Sequence, residues 1–221
     1  MHALARKREE NKSFAVGHFA LGYILSKLTA DATKTRLNIP LALMLSVIPD
    51  ADILFPFIEH RGPTHSLVTA AAIFLPLFVI WRKRALPYFV ALIQHSLISD
   101  FIAGGRTQLL WPLTLQLYGI EVSIQSLANI TLEWTLFITS MIILLKSGDM
   151  RTLLQPHNSN LILLIPLATV LLPTFLAYPL NVPPALILPH IILLVLFSAS
   201  LLIDIKQILN NNQVKRNDLN S

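Results

Sequence analysis

Residues 160–180 read NLILLIPLATVLLPTFLAYPL, and residues 184–205 read PALILPHIILLVLFSASLLIDI. Each stretch reaches the roughly 20 apolar residues that a helix needs to cross about 30 Å of hydrocarbon. Of the 221 residues, 54% are hydrophobic and only 13% are charged, which is too little polar surface for a water-soluble domain of this size. The sequence therefore predicts an all-α fold, a polytopic membrane helical bundle.

The apolar segments predict about six to seven helices in a single membrane domain, residues 14–205. The expected helices lie at about 14–29, 37–57, 67–81, 85–103, 129–145, 160–180 and 184–205. A basic polar segment, residues 1–13, precedes this domain, and a polar C-terminal tail, residues 206–221, follows it. The motifs discussed below all lie in the first half, residues 14–115.

The basic residues form short clusters beside apolar segments, so the net charge of +5 indicates topology and not a nucleic-acid surface. If successive helices alternate in direction, one face receives eleven basic residues: Lys27, Lys34, Arg36, Arg82, Lys83, Arg84, Lys146, Arg151, Lys206, Lys215 and Arg216. The other face receives six: Arg6, Lys7, Arg8, Lys12, Arg61 and Arg106. The positive-inside rule then predicts a multi-pass protein of the inner (cytoplasmic) membrane with a cytoplasmic C-terminus. The basic N-terminus fits this orientation if the first helix does not cross.

Ionisable side chains within membrane segments cost roughly 2.5 to 3.5 kcal/mol each, so a cluster of them needs compensation. Under the alternation above, seven fall near the non-cytoplasmic face: His18, Asp50, Asp52, His60, His65, His95 and Asp100. Cysteine is absent, so a metal among them would have nitrogen and oxygen ligands, which suits Zn²⁺, or Mn²⁺ or Fe²⁺. A structural polar network or a proton path is the alternative interpretation.

The spacing of these residues is informative. Pro49 is expected to break its helix, so that irregular backbone aims Asp50 and Asp52 at one point. The turn HRGPTHS, residues 60–66, can fold both of its histidines toward that point, and its Thr64 or Ser66 can cap the next helix. His95 and Asp100 lie about 140° apart on an ideal α-helix. They share a ligand shell only if the helix loosens near its end.

The chain carries GHFALGYIL, SVIPDADIL, HRGPTHSL, HSLISDFIAGG and LLWPL in this order. This series resembles the membrane-bound metal-dependent hydrolases, the YdjM-like inner membrane proteins, over residues 14–115. The usual later motif of that family is His-x-x-x-Asp, whereas four residues separate His95 from Asp100 here. The resemblance implies a helical membrane protein with a divalent metal site, preferentially zinc, and hydrolytic activity.

Carried over position by position, the resemblance implies a set of metal ligands: His18, Asp50, His60, His65, His95 and Asp100. The expected chemistry is a metal-bound water whose proton passes to Asp52, or to Asp50, as general base. Arg61 would bind a phosphoryl oxygen, or it would only pair with Asp50 or Asp52. The expected partners are membrane lipid and a small-molecule or lipid phosphoester substrate, with no nucleic acid.

Two further interpretations stay open from the sequence. A membrane transporter, or an ion- or proton-binding protein, could use the same imidazole and carboxylate groups without catalysis. Glu133 lies near the start of an apolar segment, NITLEW, and either joins the site or occupies the membrane interface. The second half of the chain carries no motif that assigns a role to it.

Overall fold

The computed structural model describes residues 15–55, 57–103, 105–120, 122–176 and 182–219. Within these ranges the regular structure is helical, and the only β-type pairings are two isolated bridges, Ala103 with Val122 and Thr107 with Tyr118. The all-α fold that the sequence predicts is confirmed. The predicted N-terminal segment, residues 1–13, lies outside the described residues.

The first half of the chain alternates short and long helices. In chain order they are α1 (Ala15–Thr33), α2 (Ile39–Leu45), a 3₁₀ helix (Ile48–Leu54), a 3₁₀ turn (Pro63–His65), α3 (Leu67–Trp81), a 3₁₀ turn (Arg82–Ala85), α4 (Leu86–Gln94), a π-helical turn (His95–Ser99) and α5 (Asp100–Ile102). The predicted segment 37–57 is thus divided, and the new element begins one residue before Pro49, as the proline predicts.

The second half consists of longer helices. They are α6 (Leu127–Lys146), α7 (Asp149–Leu153), a 3₁₀ helix (Asn158–Leu163), α8 (Leu164–Pro166), a π-helical turn (Leu167–Leu171), α9 (Leu172–Leu176) and α10 (Pro184–Leu219). Helix α10 continues beyond the predicted end at residue 205 and includes most of the polar C-terminal segment. The end of the predicted segment 160–180 lies among residues 177–181, outside the described part.

Side-chain caps fix where several helices begin. Ser66 accepts hydrogen bonds from the backbone N–H groups of Val68 and Thr69, so of the two predicted caps, Thr64 and Ser66, it is Ser66 that caps α3. Asn38 caps α2 in the same way through the N–H of Leu41. A side-chain cap satisfies backbone donors that have no partner in their own helix. The cap at Ser66 therefore fixes the residue at which the HRGPTHS turn ends and α3 begins.

Helix α1 is central to the bundle and packs against both α4 and α6. The contact with α4 is close because Gly22 leaves room for Ser46 and Gln94; a Cβ added at Gly22 would overlap the Cβ of Ser46. Gln94 donates from its amide to the carbonyl oxygens of His18 and Ser46, at 3.2 and 3.4 Å. This crossing therefore ties together three segments that carry candidate site residues.

In the described part of the chain, three helical stretches are long and apolar enough to cross a membrane: Leu127–Lys146, Asn158–Leu176 and Pro184–Asn211. Much of their apolar surface faces outward, as with Leu145, which is 65% exposed. Apolar side chains on the outside of a protein are expected where lipid replaces water as the solvent. These helices support a membrane location for the chain.

Candidate metal centre

Four buried side chains from three separate segments meet at one point. The facing ligand atoms are Nε2 of His65 and His95 and carboxylate oxygens of Asp50 and Asp100. His65 Nε2 lies 3.2 Å from Asp100 Oδ2, 3.3 Å from His95 Nε2 and 3.5 Å from Asp50 Oδ1. His95 Nε2 lies 3.3 Å from the same Asp50 oxygen and 3.5 Å from the same Asp100 oxygen. We call these four residues the inner group.

The spacing within the inner group fits a tetrahedral cation. Ligand atoms that lie about 2.0 to 2.1 Å from zinc in a tetrahedron are separated from one another by roughly 3.3 to 3.4 Å. The five distances given above, 3.2 to 3.5 Å, bracket this value, and all four ligand atoms lie within 4.8 Å of one another. Two imidazole nitrogens and two carboxylate oxygens are also ligands that zinc, manganese and iron accept. The residues present therefore fit a divalent metal ion.

Local backbone geometry places Asp50 and His65 in the inner group. Asp50 lies in the first turn of the 3₁₀ helix that contains Pro49, and His65 ends the short 3₁₀ turn after Gly62. Proline removes an N–H group and disfavours continuation of an α-helix, so both positions leave regular α geometry. The two motifs thus present Asp50 and His65 from irregular backbone between helices.

The π-helical turn His95–Ser99 brings the other two ligands together. The N–H of Asp100 donates to the carbonyl oxygen of His95, which closes an i to i+5 hydrogen bond. In an α-helix the same five-residue spacing would turn the side chains about 140° apart, whereas the wider π turn returns Asp100 to the face of His95. The loosening that the sequence requires at this point is present, and the extra residue between the two ligands is accommodated there.

The tautomer of His95 is set by a backbone group. Its Nδ1 lies 2.8 Å from the carbonyl oxygen of Ser46, so Nδ1 carries the proton and Nε2 presents a lone pair to the inner group. Ser46 has no sequence signal for this role because the contact is made by its backbone. Sequence reasoning therefore missed it.

His18 lies beside the inner group and not among its closest atoms. Its Nε2 is 3.6 Å from Asp100 Oδ1, and its ring stacks on that of His95 with the ring centroids 4.0 Å apart. Since its ring faces the second oxygen of Asp100, His18 is placed to hold the orientation of that carboxylate. The structure thus brings His18 to the site, next to a ligand.

A second set of residues surrounds the opposite nitrogen of His65, and we call it the outer group. Asp52 Oδ1 lies 2.8 Å from Nδ1 of His60, and Asp52 Oδ2 accepts a hydrogen bond of 2.6 Å from Thr64 and lies 3.4 Å from Nδ1 of His65. Asp52, His60 and His65 are also close enough to hold a metal ion. His60 is the accessible member, since 34% of its side chain is exposed.

His65 belongs to both groups, because one of its ring nitrogens faces each group. Metal-binding histidines commonly use one nitrogen for the ion and the other for a hydrogen-bond partner. Nε2 faces the inner group while Nδ1 faces a carboxylate, and this second contact orients the ring and makes Nε2 a stronger ligand. Asp52, predicted as a catalytic base, therefore also stands where it positions a ligand. His60, predicted as a ligand, lies in the outer group, where it contacts Asp52 and the ring of His65 and does not face the inner group.

Mutual hydrogen bonding controls the charge state of both groups. Burial alone would raise the pKa of Asp52, but contacts with His60, His65 and Thr64 outweigh it and hold that pKa well below its usual range. Burial would likewise lower the pKa of His65, whereas hydrogen bonds to Asp100, Asp50 and Asp52 raise it well above its usual value. Ionised carboxylates thus surround His65, which is the charge pattern that attracts a cation.

Removing the outer carboxylate gives the first prediction. We expect Asp52→Ala to weaken metal binding by about 10- to 100-fold, because partners of this kind contribute that much through ligand orientation. The measurement is competition against a chelator with purified protein. Asp149→Ala is the matched control, since that aspartate bonds Tyr23 and Lys27 at a distance from the site. Equal affinities for Asp52→Ala and the control would show that Asp52 does not support the ligands.

Arg61 and Glu133 are the two remaining residues that the sequence analysis considered for the site. Arg61 is buried in the motif turn with a positive φ of 66°, a conformation that is uncommon outside glycine, and its carbonyl oxygen accepts from the N–H of Gln108. Glu133 lies in α6, where its carboxyl group accepts a hydrogen bond from the backbone N–H of Gly17. Glu133 is thus buried in the bundle, and it is not among the residues that form the two metal-capable groups.

The apolar helices and the buried histidine and aspartate cluster together define a helical membrane protein with a polar centre suited to a metal ion. A comparison with protein families identifies it further. The chain belongs to the YdjM inner membrane protein family, whose sequence model matches residues 14–182. This match confirms the resemblance to the YdjM-like inner membrane proteins and extends it beyond the motif-bearing half. No curated protein and no solved structure matches the chain.

Proposed function

We propose that this protein is a membrane-embedded metal-dependent hydrolase that acts on a phosphoester, preferentially one carried by a lipid. The observation that supports this proposal most strongly is the convergence of Asp50, His65, His95 and Asp100, whose ligand atoms all lie within 4.8 Å of one another. Buried charge of this kind is costly in a membrane protein and is typical of a functional site. Because these residues come from three segments, helix periodicity alone does not bring them together.

In the proposed reaction the inner group holds a divalent cation, with zinc as the first choice and manganese or iron as alternatives. When bound, such an ion lowers the pKa of a coordinated water toward 7 and polarises a phosphoryl oxygen. Of the two carboxylates predicted as the general base, Asp50 lies at the inner group and would accept the proton of the attacking water, whereas Asp52 lies behind the His65 ring and would hold that ring in position through its contacts with His65 and His60. Arg61 binds the phosphate through its guanidinium group.

We further propose that the site opens on the non-cytoplasmic side of the membrane and that the C-terminus is cytoplasmic. The support for this orientation is the excess of lysine and arginine in the segments at the opposite helix ends, including Arg82, Lys83 and Arg84. A site at that face gives the reaction access to phosphate groups in the lipid headgroup layer. This makes membrane lipid both the surroundings and the source of substrate.

One observation favours a second candidate, a protein that binds or moves cations without catalysis. The inner group supplies four ligands, all buried, and a zinc ion with four protein ligands in a tetrahedron has no position left for water. Catalysis would require a fifth coordination position or the release of one ligand. The alternative needs neither.

A combined measurement of metal and turnover separates the two candidates. We expect protein purified without chelator to contain about one divalent ion per chain, and to hydrolyse a phosphoester from a panel that includes lipid phosphates. Chelation should abolish turnover, and re-addition of Zn²⁺ or Mn²⁺ should restore it. Tightly bound metal without turnover across the panel would contradict the hydrolase and support the second candidate.

A further inference from the structure

Glu133 contributes a buried carboxylate oxygen that the proposed reaction does not use. Its carboxyl group accepts a hydrogen bond from the N–H of Gly17 in the first turn of α1, where backbone donors lack partners within the helix. The other oxygen, Oε2, is buried without a hydrogen-bond partner. Gly17 allows this close approach, because a Cβ there would lie 2.5 to 2.8 Å from the Glu133 carboxyl atoms.

This carboxylate lines a small cavity between α1, α6 and the segment that carries the π turn. The cavity has a volume of about 40 Å³ and includes the polar residues Ser99, Asn129 and Glu133. A single water needs roughly 10 to 15 Å³ on this measure, so the cavity accepts a few groups of that size. We call it the lateral cavity, because its rim includes Leu132, which is 43% exposed on a candidate membrane span.

The chemistry of the lateral cavity favours a hydrogen-bond donor that carries positive charge. Ser99 donates its hydroxyl proton to Gln94, and Asn129 donates from its amide to the carbonyl oxygen of Ile124, so both present oxygen acceptors. Together with Glu133 they offer three acceptors, and a primary ammonium group has three N–H donors. Among the described lining residues there is no lysine or arginine to neutralise the carboxylate.

We propose that the lateral cavity binds a primary ammonium group, with Glu133 as its counter-ion and Ser99 and Asn129 as further acceptors. A divalent metal ion suits this cavity less well, because it contains one carboxylate and mostly apolar walls. Glu133 lies six residues after the start of α6, or about 9 Å along the helix. That depth and the lateral opening suit the headgroup of an aminophospholipid, and a free alkylamine offers the same chemistry.

This inference goes beyond the proposed hydrolase and does not depend on it. Its test uses the full chain in nanodiscs that contain equal parts of phosphatidylethanolamine, phosphatidylcholine and phosphatidylglycerol. Ethanolamine and choline headgroups carry the same charge, but only the first has N–H donors. We expect the wild-type protein to retain phosphatidylethanolamine over phosphatidylcholine, and Glu133→Gln to reduce that preference about tenfold, as measured by mass spectrometry of the retained lipid.

Two further variants control for general effects. Asp204→Asn removes another buried carboxylate from a membrane helix, one that bonds the N–H of His157 and the Asn160 amide, and should leave the lipid preference unchanged. Gly17→Ala keeps the charge but displaces the end of the Glu133 side chain, and should reduce the preference as Glu133→Gln does. This second variant decides the matter if Glu133→Gln does not fold.

A soluble probe distinguishes the two sources of the amine. Butylamine should raise the melting temperature of the detergent-solubilised wild-type protein, whereas tetramethylammonium, which has no N–H donors, should not. Stabilisation by butylamine without a lipid preference would support the ammonium site and assign it to free amines. If Glu133→Gln changes neither the lipid preference nor the response to butylamine, the carboxyl only caps α1 and the proposal is overturned.

Discussion

Replacing His65 with alanine is expected to remove the metal from the protein almost completely. His65 Nε2 lies within 3.5 Å of the three other ligand atoms, so no neighbour can take its place without rearrangement. Four-ligand zinc sites bind with an apparent free energy of about 10 to 16 kcal/mol, and the loss of one ligand in four removes roughly 3 kcal/mol. Metal affinity should therefore fall by more than about a hundredfold.

Elemental analysis of the purified variant checks this expectation. His157→Ala is the matched control, because that histidine is exposed and its side chain bonds Ser159 within its own turn, while its backbone N–H donates to Asp204. The Asp52→Ala variant should fall between His65→Ala and the control, since it removes a positioning contact and keeps all four ligands. A full complement of metal in His65→Ala would exclude the inner group as the binding site.

Replacing Gly22 with valine is expected to give the largest loss of stability. The side chain would overlap the Cβ of Ser46, which cannot move without its backbone, and would press on the Gln94 amide. Overpacking of this kind costs typically 1 to 3 kcal/mol, and the rigid neighbour places this case near the upper value, about 3 kcal/mol. The helix propensities of glycine and valine differ by less than about 1 kcal/mol, so they do not offset the overlap.

The measurement is thermal unfolding in detergent, with metal content recorded on the same samples. Ala32→Val, on the exposed part of α1, controls for the introduction of a β-branched residue. We also expect Gly22→Val to lose metal, because the Ser46 carbonyl that orients His95 lies at the same crossing. An unchanged melting temperature would show that α1 and the end of α2 are free to move apart.

The sequence predicts which residues form the site, because an ionisable side chain in an apolar segment raises the free energy of the fold unless it has a polar partner. Imidazole and carboxylate groups in apolar segments call for a common partner, and all seven candidates do lie in one connected cluster. The division into inner and outer groups could not be predicted. It depends on which nitrogen of His65 faces which carboxylate, and that is decided by the fold of the motif turn.

Other contacts at the site could not be predicted from the types of the residues that make them. The Ser46 carbonyl acts through the backbone, and Gln94 acts by joining α1 to the end of α2. Glu133 is visible as an acidic residue, but only the packing against Gly17 distinguishes a buried carboxylate from one at the membrane interface. These contacts depend on which helices pack against each other, whereas the periodicity of a sequence indicates only which face of one helix is apolar.

The fold shows a similar division. Apolar length and proline positions predict the helical class, the break before Asp50 and the cap at Ser66, because each has a local physical cause. The length of α10 was not predicted, because its polar last turns have no apolar face to indicate a helix. The π-helical turns were not predicted as elements, although the separation of His95 and Asp100 required some loosening.

That turn between His95 and Asp100 has a bearing on how relatives of this chain diverge. A codon gained or lost between two ligands on a regular helix would rotate one of them away from the other and abolish the pair. Here four intervening residues are wound into a wider loop of backbone, so the two side chains still face one another. A pattern that describes this pair by its spacing should therefore specify the backbone form as well, because the same spacing would separate the two side chains on a regular helix.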